Sequence, residues 1–400
     1  MIYSAILVSA VVLLVAFAIE RLGKNLGFPS VIVMVVVGLA AKPLVDSMGY
    51  APEGLDTAVP ILGTVGLVLI VLEGALDVEL RRSRMKLMVG AFSMAVAGFL
   101  LCLVGFSWLA STALSFSTFQ AVLLAVPFAV ISSAVAIPSS DFLPSREREF
   151  VVYETSVSDI LGVLVFFALL NSDGSIESVL SSLAGGGLLS LLLSVVCALG
   201  LVLVLVRIDG HIRFIPLLAG LFGLYAIGKL LHLSPLIMVL LFGLALNNPE
   251  LLRRFAPLRR WIDNSYDDTL KAFKVLVLEL TFAVRGYFFI LLGYWTDVAD
   301  LGSVKAWLSA MVVLLLVFGT RYLLLKASRH RHAEVLTWIA PRGLITVLLF
   351  LSVKEAIPLP AYLNGAVVLV VLISSALIVL ARSRHSKTQP SNSVGASSGI

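Results

Sequence analysis

Charged residues are scarce in this 400-residue chain. Lys, Arg, Asp and Glu make up 13% of it and hydrophobic residues 60%, whereas a soluble domain carries about 25% charged residues. This composition excludes a soluble protein and predicts one that crosses a membrane several times. The net charge of +5 does not indicate nucleic acid as a partner, because the basic residues lie in loops between apolar runs.

Cysteine and recognisable cofactor motifs are scarcer still. Cys102 and Cys197 are the only cysteines, and both lie in apolar runs, so we interpret them as small core residues. The chain has no phosphate loop, zinc-ligand spacing or Gly-x-Ser-x-Gly elbow, and no cofactor is expected. His330 and His332 are interpreted as solvated loop residues, with pH sensing as the alternative. A cleavable signal peptide is not expected, because no basic residue precedes the first apolar run.

The apolar runs predict an all-α polytopic membrane protein with about thirteen spanning helices. Their expected positions are roughly 4–19, 29–41, 58–75, 86–110, 119–138, 151–170, 183–206, 214–231, 235–247, 273–293, 305–325, 334–353 and 362–381. Most of the 29 Lys and Arg residues then lie on one side of the bilayer. The other side holds only Lys42, Lys229, Lys305 and Lys354. The positive-inside rule therefore places the N-terminus outside and the C-terminus in the cytoplasm.

An internal repeat supports this arrangement. Residues 29–40 are similar to residues 235–245, and both stretches begin with proline and end in Gly-Leu-Ala. They are the second and ninth predicted spans, so they cross the membrane in opposite directions, as in an inverted repeat of six plus six helices. The alternative is a chance similarity between two apolar runs. The resulting boundaries, all approximate, are repeat one at 4–170, a linker helix at 183–206, repeat two at 214–381, a transmembrane domain at 1–384 and a disordered tail at 385–400.

The repeat pairs the fifth span with the twelfth, and both contain helix-breaking residues. The fifth carries Pro127 followed by Ser132 and Ser133, and the twelfth carries Pro341-Arg342-Gly343. Proline removes a backbone donor and glycine tolerates non-helical angles. Exposed backbone at membrane depth survives only where it is buried in protein or lines a polar cavity. We therefore predict two broken helices that cross near the midplane at an ion site, with simple proline kinks as the alternative.

One acidic stretch, residues 154–159, lies inside an apolar run. An ionisable side chain at this depth costs about 2.5–3.5 kcal/mol on insertion scales and indicates a functional site by default. In the predicted orientation Glu154 and Arg321 lie at the same depth, and we expect them to form a structural ion pair. Asp159 is left without a fixed cation, as a group that exchanges a proton or a small cation requires.

Oxygen-bearing side chains near Asp159 complete the predicted cation site. Thr155 lies one helical turn before Asp159, and Ser158 is adjacent to it. Ser132 and Ser133 of the broken helix are expected to add further oxygens. Hydroxyl and carboxylate oxygens suit a hard cation, so a monovalent cation at Asp159 is predicted.

Other charges near the predicted site have alternative roles. Glu73 is interpreted either as an outer ligand or as an interfacial carboxylate beside the basic residues 81–82. Arg342 is expected to complement helix-end carbonyls or a carboxylate such as Glu73. The roles of Arg285 and Glu279 in the tenth span stay open.

These motifs resemble those of the cation:proton antiporter superfamily, which contains the sodium/proton exchangers and their potassium/proton relatives. Residues 154–159 are similar to the exchanger signature Glu-Ser-Leu-Leu-Asn-Asp. The resemblance implies that Asp159 binds the ion and that Glu154 pairs with an arginine, here Arg321. It extends over nearly the whole chain and includes three further stretches, 72–76, 288–293 and 341–343.

The chain departs from the family pattern at two places. Ser158 stands where the family has Asn or Asp, and Ser132-Ser133 replace a common Thr-Asp pair. The second departure is closer to the Ser-Ser-Thr-Ala-Val-Ala stretch of potassium efflux antiporters. Na⁺, K⁺ and Li⁺ therefore all remain candidate substrates.

The resemblance implies an antiporter, not an enzyme, that exchanges a monovalent cation for H⁺ by alternating access. It also implies a homodimer in the bacterial inner (plasma) membrane with a role in pH homeostasis. With Asp159 as the shared carrier and Glu154 neutralised by Arg321, we expect electroneutral exchange. The alternatives are a cation channel, a symporter for an organic anion, an intramembrane serine hydrolase and a degenerate homologue that does not transport.

Overall fold

The structure, a computed structural model, describes residues 2–47, 55–78, 82–170, 214–231, 235–252, 264–330 and 332–388, with a few positions between 172 and 200. Within these residues the secondary structure is helical and contains no strand, as predicted. The predicted linker span 183–206 lies almost wholly outside the described residues. The number of thirteen spans therefore stays a prediction.

Repeat one contains seven long or half-length helices. They are α1 (Ile2–Leu26), α2 (Ser30–Ser47), α3 (Leu55–Asp77), α4 (Met85–Leu114), α5 (Thr118–Ala129), α6 (Ser133–Ser139) and α7 (Ser145–Leu170). A 3₁₀ turn, Arg82–Arg84, precedes α4, and the short helix α8 (Ile176–Ser181) follows α7. Ser117 starts α5 through a capping box: its Oγ accepts the Gln120 N–H, and Gln120 Oε1 accepts the Ser117 N–H.

Repeat two has the corresponding elements. They are α9 (Phe214–Leu230), α10 (Pro235–Asn247), α11 (Pro249–Leu252), α12 (Asn264–Trp295), α13 (Val298–Leu301), α14 (Val304–Ala327), α15 (Ala333–Thr337), α16 (Leu344–Ala356) and α17 (Tyr362–Thr388). Several predicted ends are wrong by several residues; the first span was predicted to end at 19, for example, but α1 continues to Leu26. The second predicted span stops before Pro43, but α2 continues through it, and α17 runs past the predicted end at 381. A proline so near a helix end frees one carbonyl without stopping the helix.

The outer surface of the helices is apolar. Seven of the described helices are long and apolar enough to cross a membrane. On α4 and α14 large side chains such as Val104, Trp108, Leu308 and Leu315 are exposed. A surface of this kind is stable against lipid and not against water, which agrees with the predicted polytopic membrane protein.

The packing of the helices follows the predicted inverted repeat. Helix α2 packs on α12 as α10 packs on α3, and α4 packs on α7 as α14 packs on α17. The repeated glycine explains part of this pattern. A Cβ on Gly38 would lie 2.0 Å from Ile290 O in α12, and a Cβ on Gly243 would lie 2.6 Å from the Ala75 Cβ in α3. Neither position has room for a side chain. The glycine of the Gly-Leu-Ala stretch therefore permits the same close helix crossing in each repeat.

Candidate functional site at two crossed helix breaks

The fifth predicted span is broken between α5 and α6. Val130 and Ser132 have extended backbone angles, so three N–H groups lose their helical acceptors. Their acceptors lie on other elements: Ser158 Oγ takes the Ile131 N–H at 2.9 Å, Pro341 O takes the Ser132 N–H at 2.9 Å, and Asp159 Oδ2 takes the Ser133 N–H at 3.1 Å. All three of these N–H groups are therefore hydrogen-bonded within the protein, as backbone at membrane depth requires.

The twelfth predicted span is broken between α15 and α16, and the two breaks cross. The Ser132–Pro341 hydrogen bond joins them directly. Gly343 lies against the other break, where a Cβ would approach Ser132 Oγ to 2.5 Å. Glycine is needed here because the two backbones come close, and the predicted crossing of two broken helices is confirmed.

Asp159 lies beside this crossing on α7 and is 5% exposed. Its Oδ2 is held by the Ser133 N–H at the start of α6, where the helix dipole favours a negative charge. Its Oδ1 is buried and has no hydrogen-bond partner among the described residues. No Lys or Arg within the described ranges forms an ion pair with it. One oxygen is thus positioned, and the other is available to a proton or a cation.

Glu154, the second carboxylate of the acidic stretch, has a different environment. Arg321 donates two hydrogen bonds to it, from Nη1 to Oε1 at 2.5 Å and from Nη2 to Oε2 at 2.9 Å. Arg321 Nε also donates to Leu336 O at 2.8 Å. The two side chains are 1% and 5% exposed, so this is a buried bidentate pair whose charges neutralise each other.

The predicted hydroxyl ligands take different positions. Ser158 Oγ lies next to Asp159 but accepts the Ile131 N–H. Thr155 Oγ1 donates to Val151 O of its own helix at 2.8 Å. Ser132 Oγ is buried at the crossing and has no hydrogen-bond partner in the described part of the chain. Of the four predicted serine and threonine residues, Ser132 therefore has the least committed hydroxyl, while Ser133 contributes its backbone N–H.

Glu73 and Arg342 do not meet. Glu73 lies near Arg285 and Thr281 of α12. Arg342 is 1% exposed, and its guanidinium donates to Phe128 O at 2.8 Å and to Ala340 O at 3.1 Å. Of its two expected kinds of partner, the structure shows the helix-end carbonyls.

Arg285 has a place that the sequence left open. Its Nη1 donates to Ala134 O at 3.0 Å, so α12 contacts the first turn of α6. A cavity of about 620 Å³ extends from the end of the bundle that carries Arg148 and Arg382 to Ser133, and Glu73 and Arg285 line it. The sequence indicated Arg285 as a charge within an apolar span, but its partner is a backbone carbonyl and leaves no signal in the sequence.

Ser374 is a residue of the site that sequence reasoning missed. Its Oγ accepts the Arg342 N–H at 2.9 Å in the second break. A serine in an apolar helix carries a weak signal, because such residues often bond only to their own helix.

Comparison with known proteins identifies the family. The family described as "Sodium/hydrogen exchanger, transmembrane" matches residues 7–382. The chain belongs to this family. Its members are cation/proton antiporters of the membrane and not enzymes, which confirms the resemblance seen in the motifs.

Solved structures show the same fold. The structure of the sodium proton antiporter MjNhaP1 from Methanocaldococcus jannaschii at pH 8 has a TM-score of 0.70 and 21% identity, and covers 96% of this chain and 97% of its own. A three-dimensional electron-microscopy map of the same antiporter gives a TM-score of 0.69 and 20% identity, with 97% coverage of both chains. No curated protein matches the chain in a sequence search.

Proposed function

We propose that this exchanger moves one monovalent cation, Na⁺ or K⁺, against one H⁺ by alternating access, with Asp159 as the shared carrier. The observation that carries the proposal is the state of this carboxylate, with Oδ2 held by the Ser133 N–H, Oδ1 unbonded in the described part and no basic side chain paired with it. A proton and a cation then compete for one group, which couples the two fluxes without a second site.

The stoichiometry follows from the two carboxylates. Glu154 is neutralised by Arg321 through two hydrogen bonds. Asp159 alone exchanges its partner, so one positive charge moves in each direction. This supports electroneutral exchange.

Access to Asp159 is consistent with an inward-facing state. The cavity of about 620 Å³ ends at Ser133, whose N–H holds the carboxylate. It opens at the end with Arg148 and Arg382, which the positive-inside rule assigns to the cytoplasm. In this proposal the N-terminus lies outside, the chain resides in a bacterial inner membrane, and it functions as a homodimer.

The cation is expected to meet oxygen ligands only. Asp159 Oδ1 and Ser132 Oγ are buried oxygens at the crossing that have no hydrogen-bond partner among the described residues. Ser158 and Ser133 shape the same break, and Thr155 and Glu73 are kept as outer ligands. We therefore propose that this set of hydroxyls decides between Na⁺, K⁺ and Li⁺.

Proton efflux from liposomes containing the purified protein tests the carrier. Addition of Na⁺, K⁺ and Li⁺ in turn is expected to drive efflux in the wild type. Asp159→Asn is expected to abolish it, and Glu355→Gln, the same change at an exposed position, is expected to retain it. Efflux in Asp159→Asn at the wild-type rate would remove Asp159 as the carrier.

A voltage-clamped version of the assay separates the remaining alternatives. Electroneutral exchange gives no current that scales with turnover. A current coupled to proton flux would contradict the one-for-one stoichiometry, and an ohmic current without proton flux would indicate a channel. Absence of all flux in a correctly folded wild type would indicate a degenerate homologue.

A further inference from the structure

In each repeat, a serine of the last long helix accepts a hydrogen bond from a backbone N–H of the broken helix. In repeat one Ser158 of α7 accepts the Ile131 N–H, and in repeat two Ser374 of α17 accepts the Arg342 N–H, both at 2.9 Å. Ile131 lies two residues before the start of α6, and Arg342 lies two residues before the start of α16. The two hydrogen bonds are therefore counterparts under the inverted repeat.

The same register aligns the next residue of each helix. If Ser374 corresponds to Ser158, then Ser375 corresponds to Asp159. Ser374 and Ser375 are both 0% exposed. Ser375 Oγ has no hydrogen-bond partner among the described residues. Repeat two thus keeps the serine that holds the backbone and lacks the carboxylate.

We propose that Ser374 is a positioning residue for the cation site, an inference that rests on the proposed role of Asp159. The peptide between Pro341 and Arg342 is bonded at both of its polar groups. Its N–H goes to Ser374 Oγ, and its carbonyl accepts the Ser132 N–H. The next N–H of the chain, that of Ser133, holds Asp159 Oδ2.

These bonds form a continuous path from Ser374 to the carrier. A serine oxygen that accepts the Arg342 N–H polarises the peptide and strengthens its carbonyl as an acceptor for Ser132. Ser374 and Arg342 are 0% and 1% exposed, and a buried backbone donor that is left unpaired costs free energy. Without the Ser374 hydroxyl the peptide is free to rotate, and the Ser132–Ser133 segment loses the contact that sets the Asp159 oxygens.

Loss of this path is expected to weaken cation binding more than turnover. The geometry of Oδ1 around a cation depends on how Oδ2 is held, whereas the movement between inward and outward states involves whole helices. Partners that orient a ligand typically change affinity by about 10–100-fold. We expect the low end, about tenfold, because Ser374 acts through two peptides.

The neighbouring serine provides the matched control. Ser374→Ala and Ser375→Ala remove the same atom from adjacent buried positions on α17. Among the described residues, Ser374→Ala removes the acceptor of the Arg342 N–H, whereas the Ser375 hydroxyl that Ser375→Ala removes has no hydrogen-bond partner. Ser374→Thr keeps the acceptor oxygen and is expected to restore the wild-type behaviour.

The experiment uses the full-length chain in liposomes, with proton-efflux rates measured against Na⁺ and K⁺ concentration and thermal transitions recorded in detergent. Ser374→Ala is expected to raise the half-maximal cation concentration about tenfold, with the maximal rate little changed. Ser375→Ala and Ser374→Thr are expected to match the wild type.

Two results would overturn the proposal. Equal half-maximal concentrations in Ser374→Ala and Ser375→Ala would show that the hydrogen bond is irrelevant to binding. Equal defects in Ser374→Ala and Ser374→Thr would assign the effect to packing. If Ser374→Ala does not fold, Ser374→Cys against Ser375→Cys makes the same comparison, because a thiol keeps the volume but accepts hydrogen bonds poorly.

Failure of the proposed function gives a different pattern. Retained exchange in Asp159→Asn removes the carrier itself and with it the basis of this inference. If Asp159→Asn is inactive but Ser374→Ala and Ser375→Ala have the same half-maximal cation concentration, only the role of Ser374 is removed.

Discussion

The break in repeat one is held by α7, which carries two buried carboxylates, Glu154 and Asp159, whereas the break in repeat two carries the Arg342 guanidinium and is held by α17, which has Ser374 and Ser375 but no carboxylate there. Both breaks are followed by a half-helix, and in both a serine on the last helix accepts the backbone N–H two residues before that half-helix. Both repeats therefore keep the hydrogen bond from a serine to the broken backbone, because an unpaired backbone group is costly in a bilayer. The carboxylate that exchanges its partner is needed only once.

Arg342 connects the two breaks. Its guanidinium donates to Phe128 O at the end of α5 and to Ala340 O in its own break. Phe128 O lies at the C-terminal end of α5, where the helix dipole is negative. The positive charge of repeat two therefore stabilises the backbone ends of both repeats.

The largest effect is expected when the charge that distinguishes repeat one is removed. Glu154→Gln leaves Arg321 buried with a neutral partner, and such a change costs about 3–5 kcal/mol. When Ser374 is aligned with Ser158, the residue of repeat two that corresponds to Glu154 is Val370. We expect a strong fall in the thermal transition temperature in detergent and in the yield of monodisperse protein.

Two variants control this prediction. Glu279→Gln makes the same change on an exposed part of α12 and is expected to behave as wild type. The double variant Glu154→Leu/Arg321→Met removes both charges and is expected to recover much of the stability. Unchanged stability in Glu154→Gln alone would contradict a structural role for the pair.

A smaller loss is expected from the charge of repeat two. Arg342→Met leaves Phe128 O and Ala340 O without their donor, at about 1.5–3 kcal/mol for each hydrogen bond. The desolvation cost of the buried guanidinium disappears with it and offsets part of this loss, and no opposite charge is left unpaired. Lys354→Met removes an exposed cation from the same helix, α16, and is the control. Thermal transitions and efflux rates are measured together. Wild-type values in both assays for Arg342→Met would show that the carbonyl ends do not need the guanidinium.

The crossing itself can be tested with a single methyl group. Gly343→Ala places a Cβ 2.5 Å from Ser132 Oγ and 2.9 Å from Val135 Cγ2, and overpacking of this kind costs about 1–3 kcal/mol. Gly319→Ala adds the same atom on α14 where nothing lies within 4 Å, and is expected to be neutral or slightly stabilising. Equal thermal transitions for the two variants would mean that the breaks do not touch as described.

The smallest effect concerns the loop that leads into the second break. Burial lowers the pKa of His330 below its usual value of about 6.5, against the raising effect of Glu147 and Glu154. The unfolded chain therefore binds more protons just below pH 6.5, and stability falls there as pH decreases. His330→Gln is expected to reduce this loss, with a transition temperature about 1 °C higher at pH 5.5 and no difference at pH 8. A larger difference at pH 8 would assign the effect to the contact with Phe150.

His332, predicted to be solvated, lies within reach of a carboxylate. Its Nδ1 is 2.9 Å from Glu147 Oε1 in the first turn of α7. The contact joins the entry to α15 to the helix that carries Asp159. The sequence did not indicate it, because Glu147 and His332 are far apart along the chain.

The sequence by itself determined the membrane class, the polar residues inside the spans and the repeat. These follow from local properties: an apolar run long enough to cross a bilayer, a charge that is costly within it, and proline or glycine where a helix breaks. Asp159, Glu154 and Arg321 could be named for this reason. The number of spans stays a prediction.

Only the tertiary structure decided the partner of each polar group. Arg342 and Phe128 are 214 residues apart, and a serine looks the same in sequence whether its oxygen accepts from a broken helix, as in Ser158 and Ser374, or remains unbonded, as in Ser375. Hydrogen bonds depend on distances of a few tenths of an ångström between helices. Those distances are set by packing contacts such as Gly343 on Ser132, which no single segment of the chain contains.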